Sequence, residues 1–235
     1  MLSPKPHGWR LSINTYFCKM SIDLNFDVFC DQLKSGLEQP LPGYRAQQLM
    51  EPPERQALLR AKQSNPPREG AVLILFFPGD QGISTIMIER AVYDGVHSGQ
   101  IAFPGGRRDP GDHSLTDTAL RETAEEVGII VPSENVLGTL TPLFIPPSNF
   151  NVLPVVAYVN HSPQCVIQPE EVKEAFHLPI SSLLNPENTK LVSIKSRTYQ
   201  VADVPAYCVG GKVIWGATAM IISEVLQLIR TMRND

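Results

Sequence analysis

Apolar and polar positions recur along this chain with two periods, and the changes between them mark its elements. Phe26, Phe29, Leu33 and Leu37 return at three- and four-residue steps, the rhythm of an amphipathic helix over 23–37. Pro40, Pro42, Pro52 and Pro53 break any such rhythm, so 39–53 reads as a connector. Residues 54–63 predict a short helix that buries Leu58 and Leu59, and 64–70 a second link. Ala71 to Phe77 is an unbroken apolar run, suited to a central strand covered on both faces. Ser84 to Arg90 follows as its hairpin partner across Pro78-Gly79-Asp80-Gln81-Gly82, with a short strand at 99–103.

Helical spacing returns at 114–127. Beyond it, strands are predicted at 136–143 and 152–159, on either side of the Pro-rich loop 145–151. Residues 169–176 are acidic and fit either a helix or an extended segment. Residues 181–184 make one helical turn, and strands come near 190–200, 204–209 and 212–215. Ile221, Ile222, Val225, Leu228 and Ile229 line one side of a closing helix over 217–230. This order predicts an α/β fold with a mixed sheet between helices. It divides into a leader (1–19), an N-terminal helical extension (20–69) and the main domain (70–235).

The chemistry concentrates in the 114–127 helix. Glu122, Glu125 and Glu126 stand at i, i+3 and i+4 and share one face. Leu120, Ala124 and Val127 lie opposite, about 180° away at about 100° per residue, and are expected to meet the sheet. Arg121 falls between the two faces, where it can brace a carboxylate. Gly128 is placed to end the helix in a left-handed conformation, and Ser114 or Asp112 to cap its start. An acidic face on an isolated helix is ordinarily just solvated. Here Phe103-Pro104-Gly105-Gly106 runs into it through Pro110-Gly111, so strand, glycine loop, capped helix and acidic face come in order. Clustered hard oxygen donors of this kind suit Mg²⁺ or Mn²⁺, ions at home in phosphate chemistry.

These residues resemble the Nudix hydrolases. Gly106, Arg121-Glu122, Glu125-Glu126 and Gly128-Ile129 fall on the Nudix signature, which spans 24 of the 235 residues here. Asp112 stands in place of its first glutamate, one extra residue precedes Arg121, and Thr123 takes an apolar position. The extra residue also occurs in a subgroup resembling coenzyme A pyrophosphatases. Arg90, Gly99 and Phe103-Pro104-Gly105-Gly106 match the spacing of that subgroup, as do 148–156 and 214–219 in part. Ile86-Met87-Ile88 and Gly95 depart from it. The resemblance implies a Nudix α/β/α sandwich. It also implies Glu122 and Glu126 as principal ligands of Mg²⁺ or Mn²⁺, Glu125 as a further ligand, and the Gly105 carbonyl in the shell. Arg121 belongs to the catalytic group as an orienting partner.

A diphosphate repels nucleophiles, and a divalent ion neutralises it and polarises the phosphoryl group. The expected reaction is therefore hydrolysis of a pyrophosphate bond in a nucleoside diphosphate derivative. Coenzyme A or an acyl-CoA is the leading substrate, with 3′,5′-ADP and 4′-phosphopantetheine as products. ADP-ribose, NADH or dinucleoside polyphosphates are the alternative substrates, and a non-cleaving nucleotide sensor the alternative class. Crowded carboxylates predict one proton held near neutral pH, an alkaline optimum and a need for millimolar-scale Mg²⁺. The general base is open among Glu170, Glu171, Glu174 and the box itself. Arg107 and Arg108 can grip phosphate or face solvent. Arg90 can bind substrate phosphates or form an internal ion pair. Phe150 can stack on a base or anchor its loop. His97 carries a weak functional expectation, His113 and His161 and His177 a surface one, and Trp215 is expected to pack on the last helix.

Twenty-four acidic against twenty basic residues leave a net charge of −4, which offers no general attraction to nucleic acid or to an anionic membrane. No apolar run approaches the roughly 20 residues that span a bilayer. Cys18, Cys30, Cys165 and Cys208 are scattered and form no metal-type pair, which fits a reducing, cytoplasmic setting. The expected partner is a small nucleotide, and a homodimer stays open. Residues 1–19 hold Lys5, Arg10 and Lys19 but no acid, while Pro4, Pro6 and Gly8 oppose a helix. Met20 is read as the native start, a reading that an intact mass including residue 1 would end.

Overall fold

The computed structural model describes residues 25–61, 65–92, 97–195 and 200–232. The leader, the start at Met20 and Gly95 lie outside the described residues. A mixed eight-stranded sheet forms the centre, built around β1 (Arg68–Gly79). One edge of β1 runs parallel to β7 (Phe150–Tyr158), with Arg68 opposite Phe150. Its other edge is shared. β4 (Gly105–Arg107) pairs antiparallel with Gly70–Val72, and β2 (Gly82–Arg90) pairs with the far end. On its second edge β2 carries β8 (Val172–Pro179), while β3 (Ile101–Ala102) joins it near Ile88. β5 (Val136–Thr139) and β6 (Leu143–Ile145) line the outer edge of β7. Segment 169–176, open between helix and strand in the sequence, is extended from Val172 onward.

Alternation along β1 divides the core. Ala71, Leu73, Leu75 and Phe77 face one way, with Ile86, Ile88 and α4 (Leu115–Val127). Ile74 and Phe76 face the other, with α1 (Phe26–Leu37) and α6 (Gly216–Thr231). Both faces of the sheet are covered, so β1 reads as an unbroken apolar run rather than an alternating one. This is the α/β/α layering. Phe29 meets Phe76 edge-on at 5.2 Å, so the helix before the main domain shares the central core. α2 (Tyr44–Gln47) lies within the 39–53 segment, entered through Gly43 at φ +60°. The buried Glu224 carboxylate on α6 accepts from the Gly43 amide (3.1 Å), Gln47 Nε2 (2.8 Å) and Thr141 Oγ1 (2.6 Å), tying this segment down. After α5 (Ile180–Leu184), a separate antiparallel sheet, β9 (Thr189–Lys195), β10 (Gln200–Val209) and β11 (Lys212–Trp215), packs beside α6.

Two expectations fail. α3 (Arg55–Arg60) leaves Leu58 and Leu59 more than a third exposed. This six-residue helix lies against the turn at Pro146–Ser148 instead of the sheet, and buries Arg55 beside Glu51. On α4 the fully buried positions include Ala119, Thr123, Glu126 and Val127, with Leu120 and Ala124 only partly covered. The helix is rotated relative to the expected stripe. Thr123 tolerates this because its hydroxyl donates to the Ala119 carbonyl at 2.7 Å. The rotation carries Glu126 inward.

Candidate functional site

Strands β1 and β2 separate beyond their hairpin, and the 103–107 loop fills the gap. The Leu73 amide donates to the Pro104 carbonyl at 2.8 Å, and β4 continues along β1. Gly105 sits at φ +151°, where a Cβ would stand 2.3 Å from the Ala71 carbonyl oxygen, so only glycine lets the loop lie this close to β1. α4 crosses over the loop. Ser114 caps it, its hydroxyl accepting from the Asp117 amide while the Asp117 carboxylate accepts from the Ser114 amide. Gly128 closes it at φ +69°.

Glu126 is 0% exposed. Its Oε2 accepts the Gly105 amide at 2.8 Å, and its Oε1 lies 3.5 Å from Arg90 Nη1 without a hydrogen-bond donor. Burial pushes its pKa up to about 7, partly opposed by Arg90 and the Gly105 amide. Burial also raises Glu122, against the pull of Arg121. Desolvation therefore comes ahead of the carboxylate repulsion expected from the sequence. Glu171, exposed just before β8, joins these two: one oxygen each from Glu122, Glu126 and Glu171 lies within 4.8 Å of the others. Of the three later glutamates considered as bases, the fold brings only Glu171 into this group. Glu174 bonds Lys212 at 2.6 Å.

Arg121 is the organiser. It reaches Asp112 with two nitrogens at 2.9 Å, Glu122 at 3.0 Å, Glu125 at 2.9 Å and the Arg107 carbonyl at 3.1 Å. The hydrogen bonds from Arg121 hold the Asp112 carboxyl well below the usual carboxylate range. Asp112 is thus the anchor of Arg121 rather than the cap of α4. Glu125 faces Arg121 from the exposed side and stands outside the group of three.

Other expected residues are distributed around this centre. Arg90 forms the ion pair with Glu126. Arg108 pairs with Glu69 at 2.9 Å, and Arg107 is exposed. Phe150 carries the Arg68 guanidinium 4.2 Å from its ring centre, a contact that sequence reasoning missed because it depends on β1 and β7 pairing in parallel. His97 is bonded to Gln100 at 3.0 Å, and burial lowers its pKa. His177 lies edge-on to Phe77. A recess of about 960 Å³ between α1, the 39–49 segment and the end of α6 contains none of the site carboxylates.

These donors fit a hard divalent cation. They are oxygen atoms only, they converge from two elements, and Glu126 among them has a buried oxygen with no donor of its own. Among the described residues no helix is long and apolar enough to cross a membrane.

The NUDIX domain family matches residues 67–200. Over 137 residues the chain is 39% identical to the Homo sapiens protein named mitochondrial coenzyme A diphosphatase NUDT8, covering 57% of this chain and 58% of that protein. The Mus musculus protein of the same name is 35% identical over 137 residues, covering 57% and 65%. A Photorhabdus laumondii protein named uncharacterized Nudix hydrolase NudL is 37% identical over 134 residues, covering 57% and 71%. The match thus spans less than two thirds of each mammalian relative.

Proposed function

The chain belongs to the Nudix family, and from that membership we propose that it hydrolyses the pyrophosphate bond of a nucleoside diphosphate derivative, coenzyme A or an acyl-CoA above all. The observation that carries this reading is the meeting of Glu122, Glu126 and Glu171 beside Gly105 and Gly106. The names of the mammalian relatives and the partial subgroup motifs support coenzyme A as substrate.

In this reading Glu122 and Glu126 hold Mg²⁺ or Mn²⁺, and by resemblance Glu125 and the Gly105 carbonyl add to the donor set. The ion supplies charge neutralisation and polarisation of the phosphoryl oxygen. Arg90 balances the buried Glu126, and the Gly105 amide fixes its rotamer. Arg121 orients Glu122 from the opposite side. Glu171 approaches the same point from the β8 side, and we assign it the proton of the attacking water. The products are 3′,5′-ADP and the (acyl-)phosphopantetheine.

The test is a panel of coenzyme A, dephospho-coenzyme A, ADP-ribose, NADH and diadenosine polyphosphates, with products resolved by mass. A clear preference for coenzyme A species is expected, and a preference for another member replaces the substrate. Binding without product from any member supports a sensor instead. Glu126→Gln should lower turnover by about 10²-fold or more; near-normal turnover in a folded variant ends the assignment. Among the described residues Cys30, Cys165 and Cys208 form no disulfide, which suits a reducing compartment such as the cytoplasm. The mammalian relatives are named mitochondrial, and cell fractionation decides between the two.

A further inference from the structure

Next to the carboxylate centre lies an open recess of about 670 Å³, whose walls include Arg68, Arg107, Arg108, Glu69, Asp109 and Asp112. Its three guanidinium groups and three carboxylates balance in number but are not paired one to one. Glu69 is engaged by Arg108 and Asp112 by Arg121, both at 2.9 Å. Arg68 and Arg107 form no ion pair among the described residues. Asp109 is the remaining carboxylate of the wall, against two unpaired guanidinium groups.

Arg68 is exposed, yet it is held in place. Its guanidinium carbon stands 4.2 Å from the centre of the Phe150 ring, and Nη2 donates to the Ser148 carbonyl at 2.7 Å. The corner that presents this carbonyl is itself fixed. Asn149 adopts φ +53°, and its side-chain amide donates to the carbonyls of Asn65 and Pro66, both at 3.2 Å. The Arg68 amide donates to the Asn149 carbonyl at 2.8 Å. A guanidinium has five N–H donors, and this one commits one of them. Stacking and a backbone acceptor remove most of the rotamer freedom that an anion would otherwise have to freeze out. Phe150 therefore serves first as the platform of Arg68.

The recess is joined to the centre through shared atoms. Arg121 bonds Asp112 in its wall, the carbonyl of Arg107 and the carboxylate of Glu122. Gly106, adjacent to Arg107, faces the same Glu122 carboxylate. A nucleotide with its diphosphate at the centre thus has two unpaired guanidinium forks beside it. Such forks match the three oxygens of a phosphate monoester, a dianion, better than they match a neutral hydroxyl.

We propose that Arg68 and Arg107 form a specificity site for a phosphate monoester on the ribose of the substrate, distinct from the diphosphate that is cut. The proposal rests on the reading of Glu122, Glu126 and Glu171 as the centre of a nucleoside diphosphate hydrolase. It separates nucleotides that carry the extra phosphate from those that lack it.

The experiment is calorimetry on the full chain with 3′,5′-ADP and 5′-AMP, which differ by that phosphate alone. The unsubstituted chain should bind 3′,5′-ADP at least about tenfold tighter. Arg68→Ala and Arg107→Ala should each remove most of the difference and leave 5′-AMP affinity unchanged. Arg68→Lys, which keeps the charge but not the planar fork, should keep only part of it. Thermal unfolding checks that each variant folds, and Arg68→Lys with Arg107→Lys replaces any that does not. Equal affinity for the two nucleotides overturns the proposal, as does a preference that survives in the Arg68→Ala/Arg107→Ala double variant. Hydrolysis of coenzyme A and dephospho-coenzyme A at equal kcat/KM sinks this site alone. Failure to hydrolyse any diphosphate sinks the reading beneath it.

Discussion

Gly106→Ala isolates the link between the loop and the proposed metal site. A Cβ at Gly106 would stand 2.4 Å from Glu122 Oε2, 2.5 Å from its Cδ and 2.6 Å from its Oε1. Ordinary contact begins at 3.4 Å, so the carboxylate must retreat by about 1 Å (3.4 − 2.4). It is the far end of a flexible side chain, and the backbone at 106 is not left-handed, so the change moves Glu122 without opposing the fold. An off-rotamer side chain costs about 0.5–1.5 kcal/mol, and replacing glycine returns about 0.4–1 kcal/mol through the unfolded chain. The net is about 1 kcal/mol at most, or about 2–4 °C in Tm for a chain of this size. Misplacing a reacting group by about 1 Å costs about 10²-fold in rate, equal to about 2.7 kcal/mol of barrier. The assay is kcat on the best panel substrate across a Mg²⁺ titration, with thermal unfolding in parallel. Gly111→Ala in the same loop is the control, because nothing lies within 4 Å of its added Cβ and its φ is ordinary. A folded Gly106→Ala protein with turnover within about threefold of the control would refute the reasoning, since a 1 Å displacement predicts far more.

Glu224→Ala strips acceptors from the partly buried amides of Gly43 and Thr141 and from the buried Gln47. It should destabilise by about 3 kcal/mol, counting about 1–3 per stranded group, and an unchanged urea midpoint would show that the latch contributes nothing. Asp112→Asn tests the anchor of Arg121. The folded carboxyl titrates below its unfolded value of about 3.9, so protons favour the unfolded chain, and the stabilisation is full above that value and lost as pH falls beneath it. The Tm gap between the two proteins should be constant near neutrality and close below about pH 4; a gap independent of pH down to the acid limit would contradict it. Mg²⁺ at about 100 times its Kd should stabilise the chain by about 2.7 kcal/mol, and chelation should remove both that gain and turnover. Activity persisting in chelator would remove metal from the proposal.

Local sequence carried much of this protein. The apolar run at Ala71–Phe77, the hairpin to Ser84–Arg90 and the capped helix ending at Gly128 depend on neighbours a few residues apart, and their periods are visible without the fold. The family motif lies on one loop and one helix for the same reason, so Glu122, Glu126, Arg121 and Gly105 were all legible. Rotation of α4 was not, because periodicity assumes that charge faces away from the sheet, whereas Glu126 is drawn inward by Arg90 and the Gly105 amide from other elements. Leu58 and Leu59 misled in the same way: a spacing shows that a face exists and not what lies beneath it. Selection of Glu171 over Glu170 and Glu174 required the register of β8 on β2, and the stacking of Arg68 on Phe150 required β1 parallel to β7. Residue types and short spacings thus nominated the groups proposed to do the chemistry. Only the packing of distant strands decided which of them meet, because contacts between residues far apart in the chain leave no period for a sequence to display.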